Sequence, residues 1–320
     1  MDHWTTYWQN ASALNSFAEG TAAQGYEGEL LHFWAQIFAS TAPQATVIDL
    51  GTGNGALALA ARQHSIEQSK LWQIHGLDAA DIAPVKRFSQ QPEFARQLAE
   101  IRFYPNTPME QLPFADGTAT LIMSQFALEY SDIGLSVTEA MRVLQPGGQL
   151  VAVMHHLDTP LAQDTAVGLT VMESFFKPDN LPAQTTHLLT LAAELLKKGI
   201  AVKSDPHFNR LNKQLIAAVS TLKQQFTTPE QQNWFTYILN KYLPFVMHLT
   251  PENPAHFIAW LQSMQAYQSR LADQQQACIS VEKQQKLTVY FQENQWHYRW
   301  QMLQINQQLF GIVLVVNKEK

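Results

Sequence analysis

Near the start of the chain stands Val47-Ile48-Asp49-Leu50-Gly51-Thr52-Gly53-Asn54-Gly55, a short strand-like run that ends in alternating glycines. The run is typical of a buried strand, and the residues from Ala56 onward have the composition of a helix. Glycine has no Cβ, so such a loop can turn tightly and let a ligand approach its backbone. Open α/β sheets bind ligands at the carboxyl ends of their strands, and the sequence therefore predicts a ligand site at this loop.

Two classes of cofactor use a loop of this kind. Gly51, Gly53 and Ala56 also fit the relaxed dinucleotide fingerprint, in which a pyrophosphate lies over the loop. Asp49 would repel a pyrophosphate, whereas it would attract the ammonium group of a methionine-type ligand. Asp78 ends the next predicted strand, where a carboxylate can accept hydrogen bonds from ribose hydroxyls. The alternative role for Asp78 is that of a helix N-cap.

Short apolar runs alternate with helix-like segments over residues 43–156. Strands are predicted at 46–48, 71–75, 101–104, 119–123 and 149–154. Helices are predicted at 56–62, at 133–144 and, with an interruption near Pro92, at 80–99. This alternation predicts a parallel sheet with helices on both faces. Two further strands are predicted at about 297–304 and 309–316. The second is too apolar for an exposed position, so we expect the α/β core to comprise residues 43–156 and 290–320.

The remaining segments have helical patterns. Residues 1–42 are rich in aromatic side chains and are predicted to form a helical N-terminal cap, from which Tyr26 could close the site. Tyr7 and Trp8 could line an acceptor pocket or give a cation–π contact to a cationic group of the ligand. Residues 157–289 are predicted to form helices inserted between the fifth strand and the last two. We expect this insertion to be a lid that shapes an acceptor pocket, and a surface for a homodimer is the alternative.

Four motifs in succession resemble the class I S-adenosylmethionine-dependent methyltransferases. They are the glycine loop, the acidic strand end at Asp78, the Leu-Pro-Phe segment over residues 108–117 and the Leu-x-Pro-Gly-Gly segment over residues 139–148. The resemblance covers about residues 45–156. It implies a Rossmann-like, doubly wound, mostly parallel sheet of seven strands, with S-adenosylmethionine as cofactor and S-adenosylhomocysteine as product.

The resemblance also implies where the cofactor binds. Asp49 and the glycine loop would hold the methionine portion, Asp78 the ribose, and Ala79 with Met109 the adenine. Pro108 stands where the family often has an aspartate, so the contact to the adenine amino group is left to Asn106, Thr107 or Glu110. The implied cofactor residues are Asp49, Gly51, Thr52, Gly53, Asn54, Gly55, Asp78, Ala79, Met109, Glu110, Ser124 and Gln125.

Transfer of a methyl group from a sulfonium is an in-line displacement, for which the protein must mainly align the acceptor and exclude water. A general base is needed only when the acceptor carries a proton that must leave early. Candidates for that role are His155 and His156 after the fifth strand and Tyr130 after the fourth. A hydrogen-bonded or solvent-facing histidine is the alternative for each histidine.

Composition restricts partners and surroundings. The net charge of −6 disfavours nucleic acid as a partner, and the single cysteine, Cys278, excludes an intrachain disulfide and a thiolate metal cluster. No metal site is predicted. The first residues lack the layout of a secretion signal and no apolar run reaches membrane-spanning length, so we expect a cytoplasmic protein with no membrane partner.

These observations favour a methyltransferase with a small-molecule acceptor. Three alternatives stay open: a methyltransferase acting on protein or RNA, a non-catalytic S-adenosylmethionine-binding protein, and a nicotinamide-dependent oxidoreductase. Asp49 and the Leu-Pro-Phe segment both count against the oxidoreductase.

Overall fold

A seven-stranded sheet organises the chain, and the computed structural model describes residues 2–15, 27–177 and 180–319. Its strand order is β3-β2-β1-β4-β5-β7-β6. Within these ranges the strands are β1 Thr46–Leu50, β2 Gln73–Leu77, β3 Arg102–Tyr104, β4 Ala119–Gln125, β5 Leu144–Met154, β6 His297–Ile305 and β7 Gln308–Asn317. The first five pair in parallel, and β7 is antiparallel to both β5 and β6. The predicted α/β fold with a mostly parallel sheet is confirmed.

Helices flank and follow the sheet. They are α1 Asp2–Asn10, α2 Gly28–Ser40, α3 Ala56–Glu67, α4 Pro84–Arg87, α5 Pro92–Leu98, α6 Ile133–Val143, α7 Pro160–Phe175, α8 Leu181–Lys197, α9 Pro206–Gln225, α10 Pro229–Met247, α11 Asn253–Ala277 and α12 Val281–Glu293. In the described part of the chain, none of these helices combines the length and apolar character that crossing a membrane requires.

Alternate residues of the central strands enter two different cores because successive side chains of a strand point to opposite faces. On one face Val47 packs with side chains of α2 and α3, among them the fully buried Trp34. On the other face Ile48 packs with side chains of α6 and α12, among them Phe291. The sheet is therefore covered on both sides, as the doubly wound prediction requires.

The sequence placed some boundaries wrongly. Strand β2 begins at Gln73 rather than at residue 71, because Leu71 has a φ of +56°, a left-handed conformation that does not continue a strand. The segment predicted to be helical over 80–99 forms two short helices, α4 and α5, each beginning at a proline; the predicted interruption near Pro92 is confirmed, and only the late start at Pro84 was not predicted. Proline suits the first turn of a helix but restricts the residue before it, so the segment breaks ahead of Pro84 and Pro92.

The chain divides into two compact units, Met1–Ala162 with Gln276–Lys320, and Gln163–Gln275. The second unit is helical, and its core contains buried aromatic side chains such as Phe175, Phe235 and Phe257. The Tyr242 hydroxyl in this core lies 2.7 Å from the Thr185 hydroxyl, which satisfies both polar groups. The roles of lid and of dimer surface for this helical segment stay predictions.

Candidate cofactor and active site

The loop after β1 depends on glycine. Gly51 and Gly53 have φ values of +67° and +52°, in the left-handed region that side chains with a Cβ rarely adopt. Space imposes the same requirement, because a Cβ on Gly53 would lie 2.5 Å from a ring carbon of Trp8. The loop thus turns tightly at the carboxyl end of the sheet, as the glycine spacing predicts, and at Gly53 its backbone is in close contact with the Trp8 ring.

Asp49 lies beneath this loop and is almost wholly buried. Its Oδ2 accepts hydrogen bonds from the Thr52 hydroxyl at 2.6 Å and the Ala58 amide at 3.1 Å, whereas Oδ1 takes part in neither. Burial raises the pKa of the Asp49 carboxyl to about 7; the two hydrogen bonds oppose the rise, and the charge of Asp78 adds to it. The carboxylate therefore fixes the loop to the start of α3 and carries its charge at an energetic cost.

Asp78 follows β2 directly and joins two loops. Its Oδ2 accepts a hydrogen bond from the Gly53 amide and its Oδ1 one from the Ala80 amide, each at 2.8 Å. Burial raises the pKa of this carboxyl, and the two backbone hydrogen bonds work against that rise. The carboxylate is held rigidly at the strand end, where the sequence predicts a ribose-binding group.

A cavity opens beside this carboxylate. It encloses about 680 Å³ of empty space, a volume that includes its open mouth. Its described lining residues come from α1 and from the loops after β1, β2, β3 and β4. They are Trp4, Trp8, Gly51, Asp78, Ala79, Ala80, Pro108, Met109, Glu110, Phe126, Ala127, Tyr130 and Ser131.

Five of the predicted cofactor residues come together in this wall: Gly51, Asp78, Ala79, Met109 and Glu110. Tyr26, which the sequence predicts to close the site, lies outside the described residues.

Other predicted residues support the loop from behind. The hydroxyl of Thr52 points to Asp49, and the side chain of Asn54 donates to the carbonyl oxygens of Trp8 and Ala13 at 3.3 and 3.1 Å. The ring of Trp8 covers Gly53 and the ring of Phe103 covers Gly55. A Cβ on these glycines would lie 2.5 and 2.9 Å, respectively, from the nearest ring carbon.

Ser124 and Gln125, at the end of β4, also lie behind the wall. The Ser124 hydroxyl donates to the Leu50 carbonyl at 3.0 Å and accepts from the Leu128 amide at 3.2 Å, so it ties β1 to the turn after β4. Oε1 of Gln125 accepts a hydrogen bond of 2.5 Å from the Trp34 indole, and its Nε2 is buried with no partner among the described residues. Their predicted contact with the cofactor stays a prediction.

The sequence missed several wall residues, above all Trp4. Trp4 and Trp8 stand four residues apart on α1, the spacing that places two side chains on one helix face. That spacing predicts that the two indoles lie on the same face of the helix, but it does not predict what this face contacts. No sequence feature marks Ala80, Ala127 or Ser131 as a wall residue, because each reaches the cavity only through the path that its loop takes.

The candidate bases lie at the neighbouring strand ends. His155 follows β5, and its Nδ1 lies 2.6 Å from Oε1 of the buried Glu129, which also accepts from the His155 amide at 2.7 Å. The His155 ring stacks on Phe126 with centroids 4.1 Å apart. Tyr130 lines the cavity and meets the His155 ring edge to face.

His156 has different surroundings. It is buried, its Nδ1 accepts from the Asp158 amide at 3.2 Å, and its Nε2 has no partner among the described residues. Among the described residues, the rings of Phe126 and Tyr130 contact the ring of His155 and not that of His156.

Comparison with known proteins adds to this geometry. Residues 48–152 match the family model of a methyltransferase domain. A similar curated protein is the uncharacterized methyltransferase YodH of Bacillus subtilis (strain 168), 26% identical over 123 residues, which are 38% of this chain and 48% of YodH. The chain therefore spans about half the length of this curated relative.

Solved structures resemble the chain only in part. The YcgJ protein of Bacillus subtilis has 24% identity and a TM-score of 0.34, over 45% of this chain and 58% of that one. Geranyl diphosphate C-methyltransferase of Streptomyces coelicolor A3(2) has 17% identity and a TM-score of 0.33, over 48% and 63%. What these proteins bind says nothing about the acceptor of this chain.

The family match confirms the predicted class, a methyltransferase domain, for the part of the chain that runs from β1 into β5. It also supports S-adenosylmethionine over a nicotinamide cofactor. The matched range contains every described wall residue of the cavity except Trp4 and Trp8.

Replacing Asp49 with Asn tests the buried carboxylate. Its folded pKa of about 7 exceeds the ordinary value of 3.8, so between these values the folded protein binds the proton more tightly than the unfolded chain. The stability that Asp49 contributes is therefore present at low pH and is lost as pH rises toward 7. Between about pH 5 and about pH 8, wild type should lose about 2–3 kcal/mol of unfolding free energy relative to Asp49→Asn.

Urea unfolding of both proteins at the two pH values measures this difference. Asp116→Asn, which removes an exposed carboxylate on the same unit, controls for the loss of a charge. If the unfolding free energies of wild type and Asp49→Asn changed equally with pH, the Asp49 carboxyl would have the same pKa in the folded and unfolded chain, and the prediction would be wrong.

Proposed function

We propose that this protein is an S-adenosylmethionine-dependent methyltransferase that acts on a small-molecule acceptor. The observation that carries the proposal is the Asp78 carboxylate, held at the end of β2 in the wall of a cavity that the glycine loop also lines. The methyltransferase-domain match over residues 48–152 supports the same reaction class.

The wall residues fit this cofactor. Asp78 would accept hydrogen bonds from the ribose hydroxyls, and Ala79, Pro108 and Met109 supply apolar surface for the adenine. The described lining residues include two carboxylates, Asp78 and Glu110, but no Lys, Arg or His. A cationic sulfonium suits such a wall, whereas the pyrophosphate of a dinucleotide would be repelled by it.

When bound, the cofactor supplies a methyl group that its sulfonium charge has already activated. The task left to the protein is to hold an acceptor in line with that group and to keep water away. The aromatic side chains Trp4, Trp8, Phe126 and Tyr130 give the cavity the apolar walls that this task requires.

The strand order suggests where the acceptor binds. Asp78 follows β2 and the glycine loop follows β1, so the cofactor would occupy these two strand ends. The next strands across the sheet are β4 and β5, which are followed directly by Phe126 and by His155. An in-line displacement places the acceptor beyond the methyl group, and we therefore assign the acceptor to the β4–β5 side.

His155 is the best-supported general base on that side. Because a carboxylate only accepts hydrogen bonds, the 2.6 Å contact to Glu129 assigns the proton of the neutral ring to Nδ1. Nε2 is then the acceptor nitrogen of the ring. Oε2 of Glu129 is buried without a partner among the described residues, so both hydrogen bonds that this carboxylate accepts within them come from His155.

A small acceptor agrees with the charge of the chain. The net charge is −6, and the described cavity wall carries acidic groups, so a polyanion such as RNA would meet repulsion at the site. Binding of S-adenosylmethionine without transfer of its methyl group to any component of a metabolite extract would instead favour a protein acceptor or cofactor binding without turnover.

Cofactor binding is tested by replacing Asp78 with Ala. The loss of the charged acceptor of the ribose hydroxyls should weaken binding of S-adenosylmethionine and S-adenosylhomocysteine roughly 10- to 150-fold, measured by calorimetry with thermal shift in parallel. Asp116→Ala, outside the cavity, should bind as wild type does. The cofactor assignment fails if wild type binds NAD but neither sulfur ligand, and the ribose role fails if Asp78→Ala binds normally.

His155→Asn tests the base. With cofactor labelled in the methyl group and a metabolite extract as acceptor source, the variant should transfer label about 10²- to 10⁴-fold more slowly than wild type, at unchanged affinity for S-adenosylmethionine. His75→Asn is the matched control, since His75 is also buried and lies 3.0 Å from a partner, the Tyr104 hydroxyl, away from the cavity. Full activity of a folded His155→Asn variant would rule out the base role.

A further inference from the structure

Two tryptophans on α1 form part of the cavity wall. Trp4 and Trp8 both line the cavity, and their rings stack with centroids 6.5 Å apart and an interplanar angle of 25°. Trp4 also meets the ring of Tyr130 edge to face, with centroids 5.6 Å apart. The indoles therefore add an aromatic wall that the family-matched residues 48–152 do not supply.

Hydrogen bonds fix α1 in this position. The Asn54 side chain donates to the carbonyl oxygen of Trp8, and the Gln9 side chain donates to the backbone and side-chain oxygens of Asp81. Arg87 donates to the carbonyl oxygens of Asn10 and Ala11 at the end of the helix. The loop after β1 and the segment after β2 thus both hold α1.

The ring of Trp8 lies over the glycine that donates to the carboxylate assigned to the ribose. It covers the backbone of Gly53, and the Gly53 amide donates to Oδ2 of Asp78 at 2.8 Å. In S-adenosylmethionine the sulfur is bonded to the ribose 5′ carbon. A ribose held by Asp78 would therefore bring the sulfonium into the part of the cavity that Trp8 and Gly51 line.

The electrostatics of that region favour a positive charge. The π face of tryptophan carries negative potential and attracts a cation within about 6 Å of the ring. Asp78 and Glu110 are in the same wall, and the described lining residues include no basic side chain that would compete for these groups.

We propose that Trp8, backed by Trp4, binds the sulfonium of S-adenosylmethionine and makes the site select the charged cofactor over the uncharged S-adenosylhomocysteine. This inference rests on the proposed function. Methyl transfer neutralises the sulfur, so the same interaction would weaken on turnover and favour release of the product. The selectivity would come from α1, outside the family-matched residues.

Calorimetric titration of the full chain with three ligands tests this selectivity. The ligands are S-adenosylmethionine, S-adenosylhomocysteine and sinefungin, in which a carbon that bears a protonated amino group replaces the methylated sulfur. Trp8→Leu removes the π face, and we expect affinity for the two cationic ligands to fall roughly 2- to 30-fold while affinity for S-adenosylhomocysteine changes little. Trp8→Phe keeps a weaker π face and should lie between wild type and Trp8→Leu.

The ratio of the affinity for S-adenosylmethionine to that for S-adenosylhomocysteine distinguishes this role of Trp8 from a purely structural one. If Trp8 only packs α1 onto Gly53, both variants lose affinity for all three ligands in proportion, and the inference is overturned. It is also overturned if no affinity changes. Trp300→Leu, which replaces a half-buried tryptophan on β6, should leave the ratio at the wild-type value. Wild type that binds neither sulfur ligand would instead overturn the proposed function itself.

Discussion

The amide of Gly53 donates a hydrogen bond to Oδ2 of Asp78 over 2.8 Å, and this bond joins the loops after β1 and β2. The geometry of the site depends on it. It positions the Asp78 carboxylate in the cavity wall and holds the backbone of Gly53 where the ring of Trp8 can cover it. Gly53 has a positive φ, and a Cβ there would lie 2.5 Å from a ring carbon of Trp8, so this arrangement needs a residue without a Cβ at this position.

The same region carries an electrostatic cost. Asp49 and Asp78 are both desolvated, and each has a pKa above its ordinary range for that reason. The charge of Asp78 adds to the rise at Asp49, so the two carboxylates disfavour each other's ionised form. A ligand with a positive charge would offset this cost when it binds, which links the destabilised carboxylates to the choice of a cationic cofactor.

The sequence predicted the parts of the site that depend on local pattern. Glycine spacing after a strand indicated the loop, and the position of Asp78 at the next strand end indicated the second element of the wall. The sequence pattern did not predict roles that depend on residues distant in the chain. The Ser124 hydroxyl, for example, donates a hydrogen bond to the Leu50 carbonyl. Trp4 reaches the cavity only because Asn54, Asp81 and Arg87 hold α1 in place. Such contacts arise from the tertiary structure and leave no periodicity in the sequence.

A crystal structure of the complex with S-adenosylhomocysteine tests the central claim most directly. We predict that the ribose hydroxyls lie within hydrogen-bond distance of the Asp78 carboxylate, that the adenine packs between Ala79 and Met109, and that the sulfur faces the ring of Trp8. A ligand bound outside this cavity, or one whose ribose makes no contact with Asp78, would contradict the account.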